Sequence, residues 1–341
     1  MARKPSLRRP HKKISKKQQA LIDDKLDNRI KTLLQGNALK ATVISHLGFR
    51  VIVSSHHNGP LLACDWRQNI GTLCIGDRVL INQCEHNTGI IEAILPRQNH
   101  IEKQNTYRGA KPFAANIDQL LVIISHKPML QASLLDRYIV TANHMGIHCS
   151  IYFNKTDSLA QATVKAHIDH IAGIYQKLGE VTWLNGSVKT GDGIERLQRQ
   201  LNGQCTLLVG QSGVGKSSLI KRLVADVDIQ TQNISAASGL GRHSTTNSTL
   251  YYLPQQLGTI IDTPGIRSFN IYHLSPSQIA TGFSDIAPFI EQCRFSDCSH
   301  THEKYCAVKE AIAAEKISQL RYDSFLQILS EAKNHERNHR P

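Results

Sequence analysis

The chain has 341 residues, 40% of them hydrophobic, and a formal net charge of +13. That length calls for two or three domains, and the hydrophobic content is enough for real cores. No apolar run approaches the ~18 residues of a membrane span, and none follows the basic start as in a secretory signal, so a cytoplasmic protein without membrane insertion is expected.

Residues 1–20 carry Arg3, Lys4, Arg8, Arg9, Lys12, Lys13, Lys16 and Lys17, and the first acid is Asp23. Such a run reads as a solvated, largely disordered extension over 1–35. Its charge suits phosphate backbones, which basic arms bind by counterion release. A membrane surface is the weaker competitor, because the tail lacks apolar anchors. Residues 21–35 read as a short helix leading out of the tail.

From 38 to 100 the pattern changes to short β-type runs at 41–44, 51–53, 60–63, 78–81 and 89–93, separated by turns such as Asn58-Gly59 and Gly76-Asp77. Five strands in some sixty residues suit a small barrel, with an OB-fold first and an SH3-like barrel second. Tyr107–Pro112 reads as a linker. Beyond it strands and helices alternate, as in an α/β domain with a parallel sheet. Leu120–Ile124, Ser150–Phe153, Val181–Leu184, Thr206–Val209 and Thr259–Ile261 are the strands, and 157–178 and 216–225 the helices.

Three segments in this region carry chemistry. Asn154-Lys155-Thr156-Asp157 follows a buried strand and reads as a guanine-selecting tetrapeptide. The Asp157 carboxylate accepts from guanine N1–H and the 2-amino group, a donor pair that adenine lacks. Lys155 covers one face of the base, and Asn154 ties this loop to the phosphate loop. Ser187-Val188-Lys189 reads as a backbone-contacting guanine loop. Gly210-Gln211-Ser212-Gly213-Val214-Gly215-Lys216-Ser217, followed by Ser218, sits between a strand and a helix and matches a phosphate-binding loop in full. Its glycines turn backbone N–H groups toward a β-phosphate, Lys216 reaches the β- and γ-phosphates, and Ser217 offers its hydroxyl to Mg²⁺. The guanine motif thus precedes the phosphate loop by 56 residues, the reverse of the ordinary GTPase order.

Downstream, Asp262-Thr263-Pro264-Gly265 is the candidate γ-phosphate sensor, with Asp262 on a Mg²⁺-bound water and the Gly265 N–H on the γ-phosphate. Residues 235–246 form a polar, glycine-bearing stretch expected to act as a switch, in which Thr245 or Thr246 ligates Mg²⁺. Gln follows the sensor in Ras-type enzymes, but Ile266 stands there and cannot orient water. His243 is the best side chain for that catalytic role, with slow turnover until a partner orders the loop.

Three of the eight cysteines crowd into residues 293–306. Cys293, Cys298, Cys306 and either His300 or His302 make a donor set for a closed, structural Zn²⁺ site. Short helices around it could not bury a core unaided, so metal is expected to fix the module.

The permuted motif order, the preceding barrel, G-Q-S-G-V-G-K-S-S, D-T-P-G and C-x4-C-x-H-x5-C together resemble the RsgA (YjeQ) family of circularly permuted GTPases, over roughly residues 38–330. The resemblance implies an N-terminal OB-fold, a permuted P-loop GTPase domain and a C-terminal helical zinc-binding domain, here assigned to 36–104, 112–273 and 274–341. It implies hydrolysis of GTP to GDP stimulated by the 30S subunit, a role in late assembly of that subunit, and contact with its 16S rRNA. A monomer is expected. It favours His300 over His302 as the fourth zinc ligand and places the hydrolytic histidine at His243. The family switch usually reads H-T-T-T, whereas this chain has His243-Ser244-Thr245-Thr246. Two other function classes stay open: a GTP-gated RNA-binding scaffold in which hydrolysis is incidental, and a nucleic-acid-acting ATPase, which Asp157 disfavours.

Overall fold

The computed structural model describes residues 16–338, apart from 48, 57–58, 86, 106–108, 160, 225–226, 228–231, 233, 235–247, 257, 264–270 and 272–273. Helix α1 (Lys16–Gln35) leads into five strands, β1 (Leu39–Leu47), β2 (Arg50–Ser54), β3 (Leu61–Trp66), β4 (Arg78–Gln83) and β5 (Thr88–Ile94). They pair in the order β1-β2-β3-β5-β4, and β4 pairs back onto β1. Only β3–β5 is parallel. This is the closed connectivity of an OB-fold, which selects it over an SH3-like barrel. Val43, Val51, Val53, Leu62, Val79, Ile81 and Ile91 fill the interior. Register shifts at Val43/Ser45 and Leu80/Ile81 give β1 and β4 the bends that closure needs.

Within the described part of the basic extension, α1 begins at Lys16 rather than near residue 21. Ile30 and Leu33 pack on Leu80 and Ala93 of the barrel. Beside them the buried Glu92 accepts from Arg29 at 2.8 Å and Arg67 at 3.2 Å. Burial pushes Glu92 up, but the two guanidinium groups outweigh it and hold the carboxyl below its ordinary value. Docking on a neighbour is a tertiary effect that charge patterning cannot reveal.

Gly109–Pro112, the described part of the stretch read as a linker, lies in a strand. β6 (His100–Asn105) and β7 (Gly109–Ala115) form an antiparallel ribbon. Pro112 sits opposite Glu102 where the register shifts, a position where its missing N–H is tolerated.

The second domain has a six-stranded sheet: β8 (Gln119–Ile124), β9 (His148–Phe153), β10 (Val181–Asn185), β11 (Gln204–Val209), β12 (Thr249–Tyr252) and β13 (Gly258–Asp262). Their order is β10-β9-β8-β11-β13-β12, all parallel except β12. The phosphate-loop strand β11 is therefore central despite coming late in the chain. Helices α2 (Ala132–Met145) and α3 (Ala162–Gln176) pack with Tyr138, Ile139, Ile171 and Tyr175 in one core. Helices α4 (Ile194–Leu201) and α5 (Lys216–Leu223) pack with Leu197 and Ile220 in another. The helix expected over 157–178 is in two parts, a 3₁₀ turn at Thr156–Ser158 and then α3, because Lys155 adopts a left-handed conformation (φ 67°) that turns the chain first. β12 pairs with β1 at Ser45 and Thr249, which joins barrel and parallel sheet edge to edge.

The C-terminal helices are α6 (Pro276–Thr281), α7 (Ala287–Ile290), α8 (Ala307–Ala313) and α9 (Gln319–Asn338). A Ser275/Gln278 capping box starts α6. Their core of Ile279, Phe283, Val308, Phe325 and Ile328 includes Val140 from α2, so this module is docked on the second domain. The joint is centred on Arg321, which is fully buried. Its guanidinium donates to Asp136 at 2.5 Å and to Asp285 at 2.7 and 3.1 Å, and it lies 4.5 Å from the Phe283 ring centroid. Tyr175 of α3 donates to the same Asp136 oxygen at 2.8 Å. The two carboxylates keep Arg321 charged against the cost of burial. Arg321→Met should therefore leave two carboxylates without their cation and cost about 3–5 kcal/mol, read by denaturant unfolding. A loss below ~1 kcal/mol would mean that the pair is replaceable by packing alone.

Candidate nucleotide site and metal centre

The phosphate loop leaves β11 at Gly210 (φ 139°), where a Cβ would stand 2.3 Å from the Ile123 carbonyl oxygen. Gly213 (φ 82°) and Gly215 (φ 104°) complete the left-handed turns that only glycine adopts freely. Val214 anchors the loop in the core beneath α5. Ser212, Ser217 and Ser218 are exposed. Lys216 folds over the loop and donates to the carbonyls of Gly210 and Gln211, both at 2.7 Å. A phosphate oxygen offers that ammonium a stronger, charged acceptor.

The guanine motif is built onto the same loop. The Asn154 side chain is buried, donates to the Val214 carbonyl at 2.9 Å and accepts from the Val188 N–H at 3.0 Å. A Cβ on Gly215 would lie 2.4 Å from Asn154 Nδ2, so the close approach requires glycine there. The Lys155 ammonium donates to the Gly213 carbonyl at 2.7 Å. Asp157 is exposed, and its Oδ1 accepts from the Ser187 hydroxyl at 2.5 Å. Ser187 is fully buried and also accepts from the Thr190 N–H at 3.2 Å. Thr156 N–H donates to Gly186 O at 3.2 Å. Lys189 projects from the same loop and is exposed. Residues 154–157, 187–189 and 210–218 thus form one constellation at the C-terminal ends of β9, β10 and β11, where open α/β sheets bind ligands.

A fourth segment belongs to it and escaped the sequence reading. Ser125, His126, Lys127 and Pro128 follow β8. The Lys127 carbonyl accepts from Lys155 at 3.3 Å and from the Ser125 hydroxyl at 2.6 Å. Its signal was positional, as the residues directly after a buried parallel strand.

Asp262 ends β13 opposite Leu208 of β11. Burial pushes its carboxyl up, while Lys216 and the Thr263 N–H pull it down. Asp262 and Ser217 offer hard oxygen donors of the kind that suit Mg²⁺. His243, Thr245, Thr246 and Gly265 lie outside the described residues.

The metal donors converge as the spacing requires. The ligand atoms of Cys293, Cys298, His300 and Cys306 all lie within 4.8 Å of one another. His300 Nδ1 is 3.5 Å from Cys293 Sγ and 3.6 Å from Cys306 Sγ. Burial holds the imidazole below its ordinary pKa, in the neutral form that ligates metal. The His302 side chain is 85% exposed and beside Glu303, which decides between the two histidines. Glu303 accepts from the N–H groups of Ser299, Thr301 and His302 and so fixes the knuckle. Tyr322 donates to the His300 carbonyl at 2.6 Å, tying the knuckle to α9. Three thiols and one imidazole are a donor set that fits tetrahedral Zn²⁺. All eight cysteines are free.

Comparison with known proteins gives a consistent picture. The profile of the RsgA GTPase family matches residues 94–272. The chain is 40% identical over 319 residues to the Small ribosomal subunit biogenesis GTPase RsgA of Dichelobacter nodosus, covering 94% of this chain and 98% of the relative. It is 38% identical to the protein of the same name from Haemophilus influenzae, covering 88% of this chain and 87% of the relative. The structure resembles the crystal structure of YjeQ from Thermotoga maritima with a TM-score of 0.68 at 29% identity, covering 87% of this chain and 99% of that one. It also resembles YloQ, a circularly permuted GTPase, with a TM-score of 0.67 at 25% identity over 87% and 96% of the two chains.

Proposed function

The chain belongs to the RsgA GTPase family, and from that membership we propose how its residues divide the work. It is a GTPase of small ribosomal subunit biogenesis. The observation that carries the site assignment is Asn154, whose one buried amide joins the guanine motif, the phosphate loop and the 187–189 loop. Asp157 reads guanine, and the backbone of 210–218 with Lys216 holds the phosphates. Mg²⁺ supplies charge neutralisation between the phosphates when bound; Ser217, Asp262 and Thr245 or Thr246 would hold it. Gly265 meets the γ-phosphate. Water attacks the γ-phosphorus in line with the departing GDP oxygen, and the protein's part is positioning and electrostatic stabilisation. His243 orients that water. His243→Ala should still bind GTP yet lose about a hundredfold or more of the subunit-stimulated turnover, the scale of one lost general-base contact. Unchanged stimulated turnover would remove the role.

The same reading takes 1–35 as an N-terminal extension, 36–104 as the OB-fold, 112–273 as the GTPase domain and 274–341 as the zinc module. Zn²⁺ is structural, since four protein donors leave no open position. The partner is the 30S subunit through its 16S rRNA, and the chain acts as a cytoplasmic monomer. No helix among the described residues is long and apolar enough to cross a membrane.

A further inference from the structure

Helices α4 and α5 contribute Ile194, Leu197 and Leu201, and Leu219, Ile220 and Leu223, to one core with residues of the parallel sheet. The zinc module docks through α2 and α3, which pack in a different core. The outer surface of α4 and α5 is therefore free of the rest of the described chain, and it is basic. Arg196, Arg199, Lys221 and Arg222 are all exposed, and Lys189 flanks them. The described acids beside them are Asp192 and Glu195, also exposed. None of the five cations forms an ion pair within 4 Å among the described residues. Elsewhere Arg29, Arg50, Arg67, Arg97, Arg137 and Arg321 each meet a carboxylate. The Arg222 guanidinium reaches across to the loop before α4, where a Cβ on Gly191 would come within 2.8 Å of it, which brings a cation of α5 to the start of α4.

We propose that this α4–α5 face binds the phosphate backbone of RNA. Among the described residues its cations have no ion-pair partner, as backbone binding requires. None of the exposed large apolar side chains among the described residues lies on it, so it offers no platform for stacking bases. Contact is therefore with phosphates, independent of sequence, as on duplex RNA. Because α5 begins at Lys216, the bound backbone would lie against the helix that carries the phosphate loop. The proposal rests on the small-subunit reading above.

The test is binding of Arg196→Gln/Arg199→Gln/Lys221→Gln to purified small subunits and to protein-free small-subunit rRNA, titrated with salt. Arg222, which braces the Gly191 loop, stays in place. Each lost phosphate contact should remove about 0.9 from the slope of log affinity against log salt, so the slope should fall by about 2–3 on both targets. Affinity at low salt should fall at least about tenfold. Basal GTP turnover without RNA should stay within about twofold of the parent, which also shows that the variant is folded. An unchanged slope would make this a solvated face and overturn the proposal. Weakened binding to the subunit but not to free rRNA would point to an acidic protein surface and overturn it as well. A parent chain that bound neither target would instead overturn the small-subunit reading.

Discussion

Asp157→Asn should lower affinity for GTP and GDP by about a hundredfold or more and raise affinity for xanthosine nucleotides. In the proposed role the carboxylate accepts from two guanine donors, and charged hydrogen bonds of this kind contribute about 1.5–3 kcal/mol each. An amide keeps one acceptor but sets its NH₂ against the guanine 2-amino group, donor against donor. Xanthine carries an oxygen there, which accepts from the amide instead. The Ser187 hydroxyl that donates to Asp157 Oδ1 is buried and fixed, so the carboxylate cannot turn away to spare the loss. Competition against a fluorescent GDP measures both affinities. If GTP, ATP and xanthosine triphosphate kept their parental ranking in the variant, Asp157 would not be the reader of the base.

Removal of the metal is the other large effect. Stripping Zn²⁺ with a chelator, or Cys298→Ser, should unfold the knuckle and loosen α8 and α9, with loss of helical signal. Structural zinc binding is on the order of 10 kcal/mol in isolated modules. Cys306 and Phe325 lie in the module core, and the His300 ring packs 5.9 Å from Phe325, so the damage spreads inward from the ligands. The nucleotide site sits at the C-terminal ends of β9, β10 and β11 and, among the described residues, takes none from this module, so GDP affinity should survive. Helical content unchanged after complete chelation would rule out a structural metal.

The site was legible where its demands are local. A phosphate loop needs glycines at fixed spacing, and Gly210, Gly213 and Gly215 occupy left-handed conformations there. The cysteine spacing likewise announced a cluster, because ligands within a few residues of one another need no tertiary information. The barrel strands were readable as short β-type runs bounded by turns, but the OB connectivity depends on a β3–β5 pairing that such runs cannot specify.

What escaped was set by partners far away in the chain. Arg321 and Asp136 are 185 residues apart, and neither looks unusual in its own segment. Helix α2 and strand β12 went unread because each owes its place to neighbours, α2 to the C-terminal core around Val140 and β12 to β13 and β1. The Gly109–Pro112 stretch carries turn residues, yet pairing with β6 holds it extended.

The reversed motif order gains a physical consequence from these contacts. Ile271 and Leu274 already belong to the C-terminal core, the former nine positions after Asp262. The zinc module is also clamped to α2, whose leading segment supplies the Lys127 carbonyl to Lys155. It is thus joined to the proposed γ-phosphate sensor through the chain and to the proposed guanine motif through packing. A grip on the subunit by this module would reach both halves of the site.

The most direct test is GTP turnover with and without purified small subunits at low and at moderate salt. Hydrolysis should be slow alone, rise strongly with subunits, and lose part of that rise as salt screens the RNA contacts. Turnover unaffected by subunits at either salt would contradict a particle-stimulated GTPase and leave a nucleotide-gated scaffold in its place.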